Sequence, residues 1–497
     1  MRRFVLAVFV AGVVALSTGA ARSDDAQSLL AKNKAFAGWT FGDPSMMDLR
    51  LEGAQGENTI VDLRRGAVWR RTISYAKSGL SSTLGYTGKL FWTTNQNGFT
   101  VPILGDGVKY DIAYQVVMNQ GIPLLDGTLG GTETVNGVQA QIVRVQPPRA
   151  HPIDAYIDPS TGKLVRAVID PDGTATKIDV LGYTAVDGKQ VISKWHILGP
   201  DAEFTKIVRT TIPDAAFHPP SPSATWTFGP PNPIPVTVGR DRIVIRAIVD
   251  GVAGNFILDS GASGIALNSD FADRAHLKAI RQQTSYGVSG PVHTSIAHVD
   301  AISVGQHTLH NVYVSIGINI HSATVDYDGL LGFDFLAGAI VDVDLQKQLL
   351  TIYDPQKYAV TAKGPEVVVD LANFIPTVPV TLDGRVKGHL AFDTGDPMAV
   401  VASGNLYGPP RGVAMRLEGY AKLGGVGGQS QKLASCGHMN TISIDTLQYT
   451  DVPICFAPSG EPIFGNDGGI IGFDFLKHFD LTFDYPDSAI FLTPIST

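Results

Sequence analysis

Phe256-Ile257-Leu258-Asp259-Ser260-Gly261-Ala262-Ser263 and Leu390-Ala391-Phe392-Asp393-Thr394-Gly395-Asp396-Pro397 share one construction. An apolar run of β-forming residues ends in an Asp, a small hydroxyl residue follows, and a Gly lets the chain turn sharply. The pattern delivers a carboxylate out of a buried strand. By average residue usage, Asp-Ser/Thr-Gly arises by chance roughly 0.2 times in a chain of this length. Two copies with matching lead-ins therefore point to an internal duplication.

Each copy has its own landmarks. Asp328-Gly329-Leu330-Leu331-Gly332-Phe333-Asp334-Phe335-Leu336 lies downstream of the first and Gly468-Gly469-Ile470-Ile471-Gly472-Phe473-Asp474-Phe475-Leu476 downstream of the second. An alternating strand follows each, Ile340-Val341-Asp342-Val343-Asp344-Leu345 and Asp480-Leu481-Thr482-Phe483-Asp484-Tyr485. Upstream, Asp250-Gly251 and Asp383-Gly384 give the same hairpin signal ahead of each carboxylate. Between these landmarks each half carries a Gly-rich loop, which makes Tyr286 and Gly287 in one, and Gly425, Val426 and Gly427 in the other, candidate flap residues.

The chain has 497 residues, enough for about three domains of ordinary size. Gly (54) and Pro (30) are abundant, only 17 % of residues are charged, and apolar runs are short, which reads as mainly β with many turns. The formal charge of −8 and the lack of a basic patch interleaved with aromatics argue against nucleic-acid binding.

Residues 1–21 have the layout of a secretory signal: Arg2-Arg3, an apolar segment, then Ser-Thr-Gly-Ala-Ala. A bacterial-type leader implies an exported protein, periplasmic or secreted. A retained membrane anchor is the alternative, disfavoured because the apolar run falls short of a full span. The two cysteines, Cys436 and Cys455, flank a turn near Asp445-Thr446 at similar distances. In an exported chain they can pair; two buried free thiols is the other reading.

After the leader, residues 24–37 read as a short amphipathic helix with Leu29, Leu30 and Phe36 on its apolar side. Alternating strands with strong turn sequences then fill the stretch to residue 217, among them Asp158-Pro159-Ser160-Thr161-Gly162 and Asp170-Pro171-Asp172-Gly173. At residues 156–165 and 182–189 the chain resembles the half-barrel domains of the lipoprotein-carrier type. That resemblance implies an antiparallel curled sheet over residues 25–217, with one or two helices, able to hold an apolar ligand or a peptide. A structural domain with a filled interior fits the same residues. Pro-rich residues 218–235 read as a linker.

The two carboxylate motifs with their apolar-apolar-Gly partners resemble the retropepsin-like aspartic protease lobe, and their succession resembles the bilobal pepsin arrangement. The resemblance covers lobe one at residues 236–360 and lobe two at residues 361–497. It implies a mainly β bilobal aspartic protease, a monomer whose lobes pair within one chain, acting on a polypeptide substrate with no cofactor and no metal. Asp259 and Asp393 would be the catalytic dyad. Ser260 and Thr394 would hydrogen-bond between the two loops, Gly261 and Gly395 would let main-chain amides approach the carboxylates, and Gly332 and Gly472 would sit under the loops where a side chain clashes. Two close carboxylates share a proton because both cannot ionise cheaply. The ionised one then takes a proton from an attacking water while the protonated one steadies the oxyanion.

Lobe two departs from the pattern: Asp396-Pro397 stands where lobe one has Ala262-Ser263. Asp396 is a candidate modulator of the dyad pKa by like-charge repulsion, or it faces solvent or substrate. The same departure allows a non-catalytic peptide- or lipid-binding protein on a degenerate protease scaffold, and a third reading pairs lobe one with a second copy of itself. Other chemistries fail on spacing: there is no His-Glu-x-x-His, Cys-x-x-Cys, Gly-x-Ser-x-Gly or phosphate loop. His307 and His310 lack further metal ligands in sequence.

Overall fold

The computed structural model describes residues 18–76, 79–173, 175–287, 290–319, 327–360, 364–407, 413, 415–425, 428–458 and 468–495. They form a mainly β protein of curled sheets. No helix among them is long and apolar enough to cross a membrane. The chain divides into two compact units, one holding the described residues up to Arg71 with Gly105–Ala216, the other Thr72–Leu104 with the chain from Phe217 onward. This differs from the continuous 25–217 domain expected from sequence. The physical reason is the hairpin Phe91–Thr94 and Thr100–Pro102, whose tip residue Phe99 is buried in the same apolar core as Phe256 and Leu331.

In the first unit, strands pair antiparallel in the order Asn58–Arg65, Leu49–Gln55, Ala202–Arg209, Lys189–His196, Thr176–Val186, Leu164–Ile169, Ile153–Ile157, Val138–Val145 and Gly127–Val135. The helix Thr18–Ala37 buries Ala26, Leu29 and Leu30. Asn33 Nδ2 donates to Gly162 O at 2.8 Å, and Phe36 meets Tyr183 edge-on at 5.0 Å. The covered face of Asn58–Arg65 is not purely apolar, for Asp62 and Arg64 alternate inward with Ile60. Asp62 receives Arg64 at 2.9 Å and Arg71 at 2.7 Å, and Arg71 also donates to Tyr114 at 2.9 Å. Burial opposes the Asp62 charge, but the guanidiniums outweigh it and its pKa is lowered. Removing one member would leave an uncompensated buried charge, at a cost of about 3–5 kcal/mol.

In the second unit, Ile243–Val249 pairs antiparallel with Val252–Leu258 across Asp250-Gly251, both at positive φ. That is the geometry of a two-residue hairpin whose twist suits the flanking strands. Gly329–Leu331 runs parallel beside Val252–Leu258, with Leu258 opposite Leu331. Farther along, Thr377–Leu382 pairs with Val386–Asp393 across Asp383-Gly384, again both at positive φ. Gly468–Gly472 runs parallel beside that second strand, with Asp393 opposite Gly472.

A separate six-stranded antiparallel sheet has the order Ile234–Pro235, Leu349–Tyr353, Ile340–Asp344, Phe479–Asp484, Ala489–Pro494, Glu366–Val368. Three strands come from each side of the centre, in mirrored order. Phe256, Phe333, Phe392 and Phe473 are fully buried in one continuous core that backs both carboxylate-bearing strands. Burying each such side chain is worth about 1.5–3 kcal/mol.

Candidate active site

Val252–Leu258 and Val386–Asp393 each carry an Asp to the end of a buried strand, and the fold brings the two carboxyl groups into hydrogen-bonding contact. Both residues are more than nine-tenths buried. A Cβ on Gly261 would overlap the Asp393 carboxyl, and one on Gly395 would overlap that of Asp259. Only glycine lets each loop come this close to the opposite acid.

The hydroxyl residues lock the loops reciprocally. Ser260 N–H donates to Thr394 Oγ1 and Thr394 N–H to Ser260 Oγ, each at 3.1 Å. Ser260 Oγ donates to Phe392 O at 2.7 Å and Thr394 Oγ1 to Leu258 O at 2.6 Å, so each hydroxyl reaches the strand that bears the other Asp. All of these groups are buried, where leaving one unsatisfied costs about 1–3 kcal/mol.

Gly332 and Gly472 stand behind the loops. A Cβ on Gly332 would overlap the carbonyl oxygens of Gly264 and Ala262, and one on Gly472 those of Met398 and Asp396. The next residue ties each loop down: Phe333 N–H donates to Ala262 O at 2.9 Å and Phe473 N–H to Asp396 O at 2.7 Å.

The electrostatics separate the two acids. Burial raises the Asp259 pKa, opposed by the Asp393 hydrogen bond and by the amides of Gly261 and Ala262. Asp393 is raised well above the usual carboxylate range, by burial first and then by the charge of Asp259. Gly395 and Asp396 N–H groups donate to Asp393 Oδ1 at 2.8 and 3.1 Å. Asp259 Oδ1 is buried and has no hydrogen-bond partner among the described residues. Two buried acids so arranged cannot both ionise cheaply, and Asp393 is the more strongly raised of the two.

Asp396 is half-buried, and its Oδ1 accepts Met398 N–H at 2.7 Å. Burial and then the charge of Asp393 push its carboxyl up to about 6. Towards Asp393, it is the Asp396 amide that acts, as a donor that favours the charged form. Pro397 is exposed.

The flap candidates fall on two hairpins. Tyr286 is opposite Pro291 and Gly287 opposite Gly290 in one, and Gly425 is opposite Gly428 in the other. Val426 and Gly427 lie outside the described residues. Cys436 and Cys455 face each other on neighbouring antiparallel strands and form a disulfide. It packs with Val401, Leu423 and Ile470 at the base of the second hairpin.

Three residues near the acids escape a motif-based reading. The Arg242 guanidinium lies 5.5 Å over the Tyr327 ring, and its charge lowers the pKa of both Asp259 and Asp396. Tyr485 is buried with no partner for its hydroxyl among the described residues, stacks on Phe333 at 5.8 Å, and is raised by burial and by the charges of both acids. Asp334 is wholly buried beside the first loop. Arg242 belongs to no motif and Tyr485 only ends the alternating strand 480–485, but Asp334 had a signal: Ala337 stands three positions after it where Lys477 stands three after Asp474.

A protein family described as aspartyl protease matches residues 245–335, the stretch that carries Asp259 and Gly332. No curated protein matches the chain. Among solved structures, a DUF1329 family protein from Desulfovibrio piger aligns at 14 % identity and a TM-score of 0.30, covering 40 % of this chain and 97 % of its own.

Proposed function

We propose that the protein is an aspartic endopeptidase whose dyad is Asp259 and Asp393, one from each of two tandem lobes. The observation that carries this reading is the reciprocal Ser260–Thr394 lock, which holds two buried carboxyls in contact within a single chain. Ionised Asp259 takes a proton from water as the water oxygen bonds to the scissile carbonyl carbon. Asp393 gives its proton to the carbonyl oxygen. The tetrahedral diol then collapses: Asp393 takes back a hydroxyl proton as the C=O bond re-forms, the C–N bond breaks, and the amine leaves with the proton held by Asp259.

The intramolecular lock favours a monomer over self-pairing of lobe one. The disulfide supports an exported location, in line with the leader-like residues 1–21. On this reading the first unit, the described residues up to Arg71 with Gly105–Ala216, supplies a curled sheet that takes an apolar ligand or a peptide.

The test is cleavage of an unfolded protein substrate across roughly pH 3 to 8, by wild type, Asp259→Asn and Asp393→Asn. Either substitution is expected to lower kcat by about 10²–10⁴-fold. A non-catalytic peptide- or lipid-binding protein on the same scaffold is the reading to adopt if wild type matches both variants at background.

A further inference from the structure

The buried carboxyl of Asp334 has no role in the proton chemistry, yet both of its oxygens are hydrogen-bonded. Its Oδ1 accepts Asn95 Nδ2 at 2.6 Å, its Oδ2 accepts Ile265 N–H at 3.3 Å, and the Asn97 side chain adds a further hydrogen bond. A Cβ on Gly264 would stand 2.9 Å from Oδ2, so the first carboxylate loop passes directly against this acid. Asp334 therefore touches the loop at Gly264 and Ile265, while its neighbour Phe333 ties the same loop at Ala262.

The donors come from far away in sequence. Asn95 and Asn97 form the tip of the hairpin Phe91–Thr94 and Thr100–Pro102. Asn95 Oδ1 accepts Asn97 N–H at 3.0 Å and Phe99 N–H at 3.1 Å, which folds the tip back on itself and aims Nδ2 outward. Asn97 then reads the backbone of Tyr313 as a strand would: Tyr313 N–H donates to Oδ1 at 2.7 Å and Nδ2 donates to Tyr313 O at 3.0 Å. Ser223 and Ala224 N–H groups close on Asn97 O. Phe99 fills the space over Gly338, where a Cβ would stand 2.9 Å from its ring. Both Asn side chains are buried, so none of these bonds competes with solvent.

We propose that the hairpin tip is a positioning element of the active site: Asn95, acting through Asp334, holds residues 259–265 in the geometry that the Asp259 carboxylate needs. Among the described residues the second loop has no such support, and Asp474 is half-exposed and pairs with Lys477. The residues ahead of the Pro-rich segment are thus part of the machinery of the first half. The kinetic side of this inference rests on the protease reading; the structural side does not.

The experiment uses the full chain with Asn95→Ala, Asp334→Asn and Asp474→Asn, each confirmed folded by its melting transition. Hydrogen exchange is followed in peptides covering residues 258–266 and 392–402, and kcat and KM are measured on an unfolded protein substrate. Asn95→Ala is expected to speed exchange in 258–266 about tenfold and to leave 392–402 unchanged. It should lower kcat at least about tenfold with KM within about twofold. Asp334→Asn, which keeps the shape but sets an amide against a donor, should move both in the same direction, and Asp474→Asn neither. Unchanged exchange in 258–266 for both first-half variants overturns the inference, and so does faster exchange with unaltered kcat. Should wild type cleave nothing, the protease reading fails and the exchange result still decides whether the hairpin holds the loop.

Discussion

Phe333-Asp334-Phe335-Leu336 and Phe473-Asp474-Phe475-Leu476 are the same four residues in the same one-turn helix, each entered through a glycine that admits no side chain. Their aspartates nonetheless have opposite surroundings. Asp334 is 1 % exposed and receives Asn95 from a distant hairpin, while Asp474 is half-exposed and pairs with Lys477 within its own turn. The local sequence decides the backbone, and what docks on it decides the chemistry of the side chain. The two carboxylate loops follow the same rule: the Ser260–Thr394 lock is reciprocal, but Asp396 stands in the second loop at the position Ala262 takes in the first.

The largest effects should be symmetric. Phe256→Ala and Phe392→Ala each empty a fully buried site behind one loop, and each should cost about 3–5 kcal/mol in urea unfolding. A large inequality between them would show that the two halves are not backed by equivalent cores.

The next effect should be one-sided and pH-dependent. Burial pushes Asp334 up to about 6, so the folded state binds this proton more tightly than the unfolded chain. The resulting stabilisation is complete below the ordinary carboxylate range and is lost as pH rises through about 6, at most about 3 kcal/mol. Unfolding measured at about pH 4 and pH 7 should therefore show a shallower decline for Asp334→Asn than for wild type. Asp474→Asn should shift stability by less than about 1 kcal/mol, as for any exposed ion pair.

Smaller still is the lock itself. Ser260→Ala and Thr394→Val should each cost about 1–3 kcal/mol, and the double variant less than their sum, because each removes a partner of the other. Additive costs would mean that the two hydroxyls do not act as a unit.

Much of this comparison was legible in the sequence where the signal is local. The mainly β class follows from the short apolar runs and turn residues, and the Asp250-Gly251 and Asp383-Gly384 hairpins follow from residues that tolerate positive φ. The placement of Gly332 and Gly472 under the carboxylate loops was implied only by the resemblance to the aspartic protease lobe, since neither spacing nor composition says what a glycine packs against. The hairpin tip was not, since Asn95 and Asp334 are 239 positions apart and an Asn in a turn is an ordinary turn residue. The assignment of Thr72–Leu104 to the second compact unit was hidden for the same reason, as a strand carries no local sign of which core its side chains join. Arg242 and Tyr485 reach the acids only through folding, and no spacing in the chain marks them.

The central claim is that Asp259 and Asp393 titrate as one proton-sharing pair, and carboxyl carbon NMR of the two residues across roughly pH 2 to 10 tests it without knowledge of the substrate. The account predicts that Asp393 stays protonated well above the usual carboxylate range in wild type and that its titration moves down in Asp259→Asn, where the neighbouring charge is gone. If Asp393 titrates in Asp259→Asn as it does in wild type, the two acids are independent and the shared-proton account is wrong.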